Sequence, residues 1–208
     1  QEGFKYNEIA VLTRTNREGA LAAQALMKAG IPVLSSESLL LKNATSVNFL
    51  TALLRYIESP GDDIARATVL RFLVDEQKIP GPLHERLAEL KAPDSQGFYK
   101  FLDKYGFQFN GIILAKFPLY QRCQELLRLF GMEKKPDPYL LYFLDEILEY
   151  ATGRNHLPAD FLNWWEDRRE KASVSVPEGT DAVRVMTIHK SKGLEFTAVI
   201  LPFCTWNM

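Results

Sequence analysis

Apolar positions along the chain fall into two kinds of pattern. Three short runs, residues 8–14 (EIAVLTR), 183–188 (VRVMTI) and 198–201 (AVIL), are strand-length, rich in β-branched residues and without clean apolar–polar alternation. Such runs predict strands covered on both faces, as in the parallel sheets of α/β proteins. The first leads into Thr15-Asn16-Arg17-Glu18, a Thr-x-x-Glu capping box, which predicts a helix over 17–29. Ala22, Ala25, Leu26 and Ala29 give that helix a small-residue face suited to lying close on a sheet. Gly30 ends it, and Pro32 prevents its continuation.

From about residue 34 to residue 173 the strand signals vanish and helical spacing takes over. Val47, Leu50, Leu54 and Ile57 form one stripe; after a Ser59-Pro60-Gly61-Asp62 turn, Asp62 or Asp63 is placed to cap the next helix. Leu83, Leu87 and Leu90 mark a third helix, Phe98, Leu102 and Tyr105 a fourth. Leu119, Cys123, Leu126, Leu127 and Phe130 mark a fifth, closed by Gly131. Asp137-Pro138 opens a sixth, with a stripe of Leu141, Leu144 and Leu148, and Pro158 a seventh carrying Phe161, Leu162 and Trp165. Residues 173–180 return the chain to the sheet. The pattern predicts an all-helical body inserted between two pieces of one α/β sheet.

Composition narrows the options. The 208 residues are 47% apolar, ample for a real core. The net charge is −1, so there is no overall basic field and any nucleic-acid contact must be local. Cys123 and Cys204 fit no metal spacing and, as reduced thiols, suggest the cytoplasm. His84, His156 and His189 form no metal-binding pattern. No apolar run approaches the roughly 20 residues that span a bilayer, and no signal peptide is visible. The chain begins at Gln1 and stops soon after a predicted strand, so it is expected to be a piece of something longer.

Chemistry concentrates between the last two apolar runs, in Thr187, His189, Lys190, Ser191, Lys192, Gly193 and Glu195. A polar cluster at the end of a buried strand lies where open α/β sheets bind ligands. Two lysines, two hydroxyls and a histidine suit phosphate oxygens, and Gly193 permits close backbone approach. Glu195 does not favour a phosphate, which leaves a sugar hydroxyl or a cation. A solvated connection between two core strands is the plainer reading of the same composition. Arg14, at the end of the first strand, either faces a phosphate or is a simple strand-end side chain. Leu73-Val74-Asp75-Glu76-Gln77 looks like a Walker B strand but ends a helical pattern, and no GxxxxGK[ST] loop accompanies it. Trp164, Trp165 and Phe161 fit core packing better than a base-stacking platform. The aromatic stretch 98–109 also reads as core, and the mixed charges of 166–171 read as a solvated face.

The order of residues adds what composition lacks. Thr-Ile-His-Lys-Ser-Lys-Gly-Leu-Glu-Phe, residues 187–196, resembles motif V of UvrD/Rep-type superfamily 1 DNA helicases, closest to the AddA/RecB helicase–nuclease branch. Upstream, IAVLTRTN followed by LAAQALMKAGIPV resembles the segment often called motif IVa, in the family's order. SVNFLTALLRYIESPGDDIARATVL resembles the family's insertion more loosely. The resemblance implies a RecA-like parallel sheet, the P-loop NTPase-like second motor domain, interrupted by a helical 2B-like subdomain. The implied division is 1–34 and 174–208 for the motor domain and 35–173 for the insertion. The implied activity is that of an ATP-dependent 3′–5′ DNA helicase or translocase, as in helicase–exonucleases of DNA repair and recombination. Carried over by position, Thr187 and His189 would contact single-stranded DNA; Arg14, at the end of the first strand, is a separate candidate for DNA contact. Lys192 would approach the nucleotide phosphates, Gly193 would shape the turn and Glu195 would bond the ribose. ATP and Mg²⁺ would be held mainly by a first motor domain, so this piece alone, without a catalytic residue of its own, is expected to be inactive. Expected partners are single- and double-stranded DNA, ATP, the first motor domain and a helicase–nuclease partner subunit, with no membrane. A non-catalytic DNA-binding or partner-docking module, and a helicase acting on RNA, stand as alternatives.

Overall fold

The computed structural model describes residues 3–35, 39–90, 95–134, 136–153, 157–175 and 179–204, which excludes His156 and part of the predicted return at 173–180. The chain divides into two compact units, one of Gln1–Asn43 with Ser173–Met208, the other of Ala44–Ala172.

The first unit is α/β. Its elements are β1 (Ile9–Thr13), α1 (Asn16–Lys28), β2 (Val33–Ser35), β3 (Val183–Thr187) and β4 (Ala198–Ile200). They form one all-parallel sheet in the order β2-β3-β1-β4, consistent with a RecA-like fold. The three predicted strands therefore share a sheet; β2, at the other edge from β4, is not among those that the apolar runs predict. The capping box is made: Glu18 N donates to Thr15 Oγ1 at 3.3 Å, and the Glu18 carboxylate accepts from Thr15 N at 3.0 Å.

Two expectations about this unit need correction. The buried face of α1 is Gly19, Ala22 and Ala23 with Leu26 behind them, whereas Ala25 and Ala29 are exposed. This face packs on Val11, Val183 and Val185, and a shift of one position along the helix is enough to exchange the alanines. Nor are all strands covered on both faces: Val199 and Ile200 are each 50% exposed. Helix α1 packs on β1, β2 and β3, and β4 lies at the sheet edge beyond its reach.

The second unit is helical: α2 (Thr45–Glu58), α3 (Asp63–Asp75), α4 (Leu83–Glu89), α5 (Ser95–Lys104), α6 (Gly111–Leu114), α7 (Leu119–Leu129), α8 (Pro138–Gly153) and α9 (Pro158–Arg168). Helix α2 is its axis, with Val47, Phe49, Leu50, Leu53, Leu54 and Tyr56 all buried and α3, α6, α7, α8 and α9 packed round it. Asp62 caps α3 through Ala65 N at 2.8 Å, and Asp137 caps α8 through Tyr139 N at 2.9 Å. Asp75 and Glu76 close α3, so the Walker B likeness is a helix terminus. Trp165 and Phe161 are buried and the half-buried Trp164 packs, tilted, against Tyr150, 5.1 Å between centroids, so this aromatic group belongs to the core packing.

Three details here depart from the sequence pattern. The one-turn α6 has no counterpart among the predicted helices. The stripe expected to bury α8 is its outer side: Leu141 and Leu148 are exposed, while Leu140, Phe143, Ile147 and Tyr150 face the core. The charged run 166–171 is more than a solvated face, because Arg168 bonds Glu146 twice, at 2.7 and 3.0 Å, and Glu166 pairs with Arg55. Those pairs tie α9 to α8 and α2.

Candidate nucleotide and nucleic-acid site

Strands β1 and β3 are parallel neighbours, with Thr13 in register with Thr187 at their C-terminal ends. The residues that follow each strand therefore emerge side by side at one edge of the sheet. Arg14, Thr15 and Asn16 leave β1; Ile188 and His189 leave β3. Ile188 N donates to the Thr13 carbonyl at 2.9 Å, extending the strand pairing one residue into the loop.

Beyond Ile188 the chain folds into linked turns. Lys190 N and Ser191 N donate to the Thr187 carbonyl at 2.9 and 3.2 Å, and Ser191 Oγ donates to Ile188 O at 2.9 Å. Leu194 N then donates to Ser191 O at 3.0 Å. Gly193 has φ 81°, a left-handed conformation that a side chain would strain. The turns use their own carbonyls and leave His189, Lys190, Lys192 and Glu195 exposed.

The connection to β4 lies on the face of the sheet away from α1. Val11 and Val185 face that helix, so their neighbours Ala10 and Arg184, themselves in register, face the other way. The guanidinium of Arg184 sits over the ring of Phe196, 6.0 Å from its centroid, and Ala10 on the same face is fully buried. Phe196, and with it the segment that carries Glu195, thus lies on the face of the sheet away from α1. His189 stands at the sheet's edge.

The structure therefore brings Arg14, Thr187 and His189 to one end of the sheet, with Lys192, Gly193 and Glu195 further along the connection to β4. Arg17, exposed in the first turn of α1, adds a cation that the sequence pattern marks only as part of the capping box. Glu18 also does more than cap: its carboxylate accepts from Arg14 N at 3.0 Å and so fixes the backbone that carries Arg14. The Thr-x-x-Glu spacing is the signal for it. A notch of about 10 Å³, room for one water, lies between Thr13, Asn16, Gly19, Ser35 and Thr187. The larger cavities, 280–340 Å³, are in the helical unit and contain none of these residues.

Ammonium groups, hydroxyls and a turn glycine form a donor set that fits phosphate and sugar oxygens. Among the described residues no group of three or more His, Cys, Asp or Glu side chains is placed to hold a metal ion. No described helix is long and apolar enough to cross a membrane.

The α/β class with a loaded strand end is thus established by geometry, and comparison with known proteins narrows it. No family model matches the chain. It is 28% identical over 224 residues to the A-subunit of the ATP-dependent helicase/nuclease of Anoxybacillus flavithermus, an alignment covering 94% of this chain and 18% of that protein. The corresponding protein of Leuconostoc mesenteroides is 29% identical over 225 residues, covering 95% and 18%. That of Bacillus pumilus is 28% identical over 233 residues, covering 94% and 18%. The chain thus spans about a fifth of the length of these relatives. Its similarity is to the group that the motif at 187–196 resembles, an AddA-like segment, and runs through both units.

Proposed function

We propose that this chain is the second motor-domain portion of an ATP-dependent 3′–5′ DNA helicase or translocase of the UvrD/RecB type, within a helicase–nuclease. In this reading residues 1–34 and 174–208 belong to the motor domain and 35–173 to a 2B-like insertion. Arg14, Thr187 and His189 face single-stranded DNA; Lys192, Gly193 and Glu195 face the nucleotide. ATP and Mg²⁺ are held mainly by the first motor domain of the longer protein, and a second subunit completes the nuclease assembly. When bound, ATP supplies the energy of phosphoryl transfer. The residues of this chain orient the ribose and phosphates at one end of the 188–197 connection and grip the DNA backbone at the other.

The observation that carries the reading is the register of Thr13 with Thr187, which sets both motif-bearing loops at one sheet edge. Relatives named as helicase/nuclease subunits support it. The test is turnover of ATP by the full-length protein with and without single-stranded DNA, and with single-stranded RNA. Stimulation by DNA and strand displacement from a 3′-tailed duplex are expected. ATP turnover indifferent to DNA, or stimulated by RNA alone, defeats it.

A further inference from the structure

We infer that Thr13 is a positioning residue that locks the two DNA-facing loops into one rigid edge. It touches neither ligand, and the inference rests on the functional reading above. Four observations converge on it. Thr13 is 2% exposed, its hydroxyl-bearing side chain buried at the strand end beside Asn16, Ser35 and Thr187. Its Oγ1 donates to the Thr15 carbonyl at 3.1 Å, pulling the turn that carries Arg14 back over the strand end. Its own carbonyl accepts from Ile188 N at 2.9 Å, holding the start of the loop that carries His189. Helix α1 closes over it at Gly19, where a Cβ would come within 3.2 Å of Oγ1.

One buried residue thus bonds forward into the β1–α1 turn and sideways into the β3–β4 loop. Arg14, on the next residue, is held from the other side by Glu18, so the turn has two anchors. A hydroxyl buried at this position must be satisfied, and its bond to the Thr15 carbonyl does so. Its use is geometric. A phosphate grip distributed over Arg14 and His189 needs the two loops at fixed separation, because two weakly ordered contacts each lose orientation on binding.

The test uses the full-length protein with Thr13→Val, which keeps shape and removes the hydroxyl, and Thr13→Ser, which keeps the hydroxyl. Single-stranded oligonucleotide affinity, ATP affinity, melting temperature and backbone amide exchange are measured on each. Thr13→Val is expected to weaken DNA binding by about three- to tenfold, the scale of one lost hydrogen bond. Its ATP affinity should stay near wild type and its melting temperature should drop only slightly; amide exchange should quicken at Arg14–Glu18, where the hydroxyl's bond is lost, and stay as in wild type at Ile188, whose bond to the Thr13 main-chain carbonyl valine keeps. Thr13→Ser should restore DNA affinity to within about twofold. Valine binding DNA as wild type, serine failing as valine does, or exchange unchanged at Arg14–Glu18 overturns the inference. Wild-type protein that binds no single-stranded DNA instead overturns the proposed function, and the exchange at Arg14–Glu18 still decides whether the Thr13 hydroxyl holds the β1–α1 turn.

Discussion

Arg184 and Phe196 are twelve positions apart, yet the guanidinium of one covers the ring of the other at 6.0 Å. This contact fixes where the β3–β4 connection descends, and with it the neighbouring Glu195. A cation–ring contact at a partly exposed site is worth about 0.5–1 kcal/mol. Arg184→Met keeps the apolar stem and removes the cation. In the full-length protein it should lower ATP affinity by about two- to fivefold and leave DNA affinity within error. Equal losses of both, read by titration of each ligand, would mean that the whole loop has shifted.

Arg122 is the most deeply buried charge among the described residues of the helical unit. Its side chain is 3% exposed, bonds Glu58 at 2.6 Å, and also donates to the Ala115 and Phe117 carbonyls at 2.6 and 3.3 Å. It therefore pins the α6–α7 turn to the end of α2. Arg122→Ala strands Glu58 and two carbonyls, and should cost about 3 kcal/mol in chemical denaturation. Arg122→Lys, which keeps the charge but not the fork, should recover only part of that. A loss below about 1 kcal/mol for the alanine variant rejects this role.

Burial pushes the Cys123 thiol up to about 12, outweighing the attraction of nearby Arg122. The raised value means that the folded state holds this proton more tightly than the unfolded chain. Stability is therefore unaffected below the ordinary value of 9.0 and falls as pH climbs from there towards 12. Cys204 is exposed. A thiol reagent at neutral pH should modify Cys204 at once and Cys123 only in denaturant, read by mass spectrometry. Labelling of Cys123 in the native protein would show that α7 opens locally.

The sequence is legible where local chemistry and burial agree. Thr15 and Glu18 form a cap by spacing alone, and Val183 and Val185 mark a strand because alternate positions of β3 meet α1. It is least legible where apolar residues lie on two sides of one helix. On α8, Leu140, Phe143 and Ile147 share the spacing of Leu141, Leu144 and Leu148, and only the neighbouring helices decide which set is buried. Val199 and Ile200 read as buried because their residue types suit a core, but coverage depends on what packs beside β4. At the site, the residue types of 187–195 suggest a ligand, whereas the placement of Arg14 beside His189 comes from the sheet's strand order. That order pairs segments far apart in sequence, which no local pattern encodes.

His189 and Glu195 have separate anchors on the sheet, which supplies a reason for separate roles. His189 follows Ile188, which is bonded to Thr13 at the strand ends, whereas Glu195 precedes Phe196, which packs on Arg184 lower on the sheet. The linked turns with Gly193 lie between the two anchors. A hydrogen bond to a charged or sugar group should be worth about 1–3 kcal/mol, roughly five- to hundredfold in affinity. In the full-length protein Glu195→Ala should lose ATP affinity on that scale, with a smaller effect on DNA. His189→Ala should lose single-stranded DNA affinity and DNA-stimulated turnover, with a smaller effect on ATP. Both side chains are exposed, so both variants should melt as wild type does. The deciding measurement is ATP and DNA affinity for both variants beside wild type: parallel losses of the two ligands at unchanged melting temperature would show that the loop acts as one undivided contact.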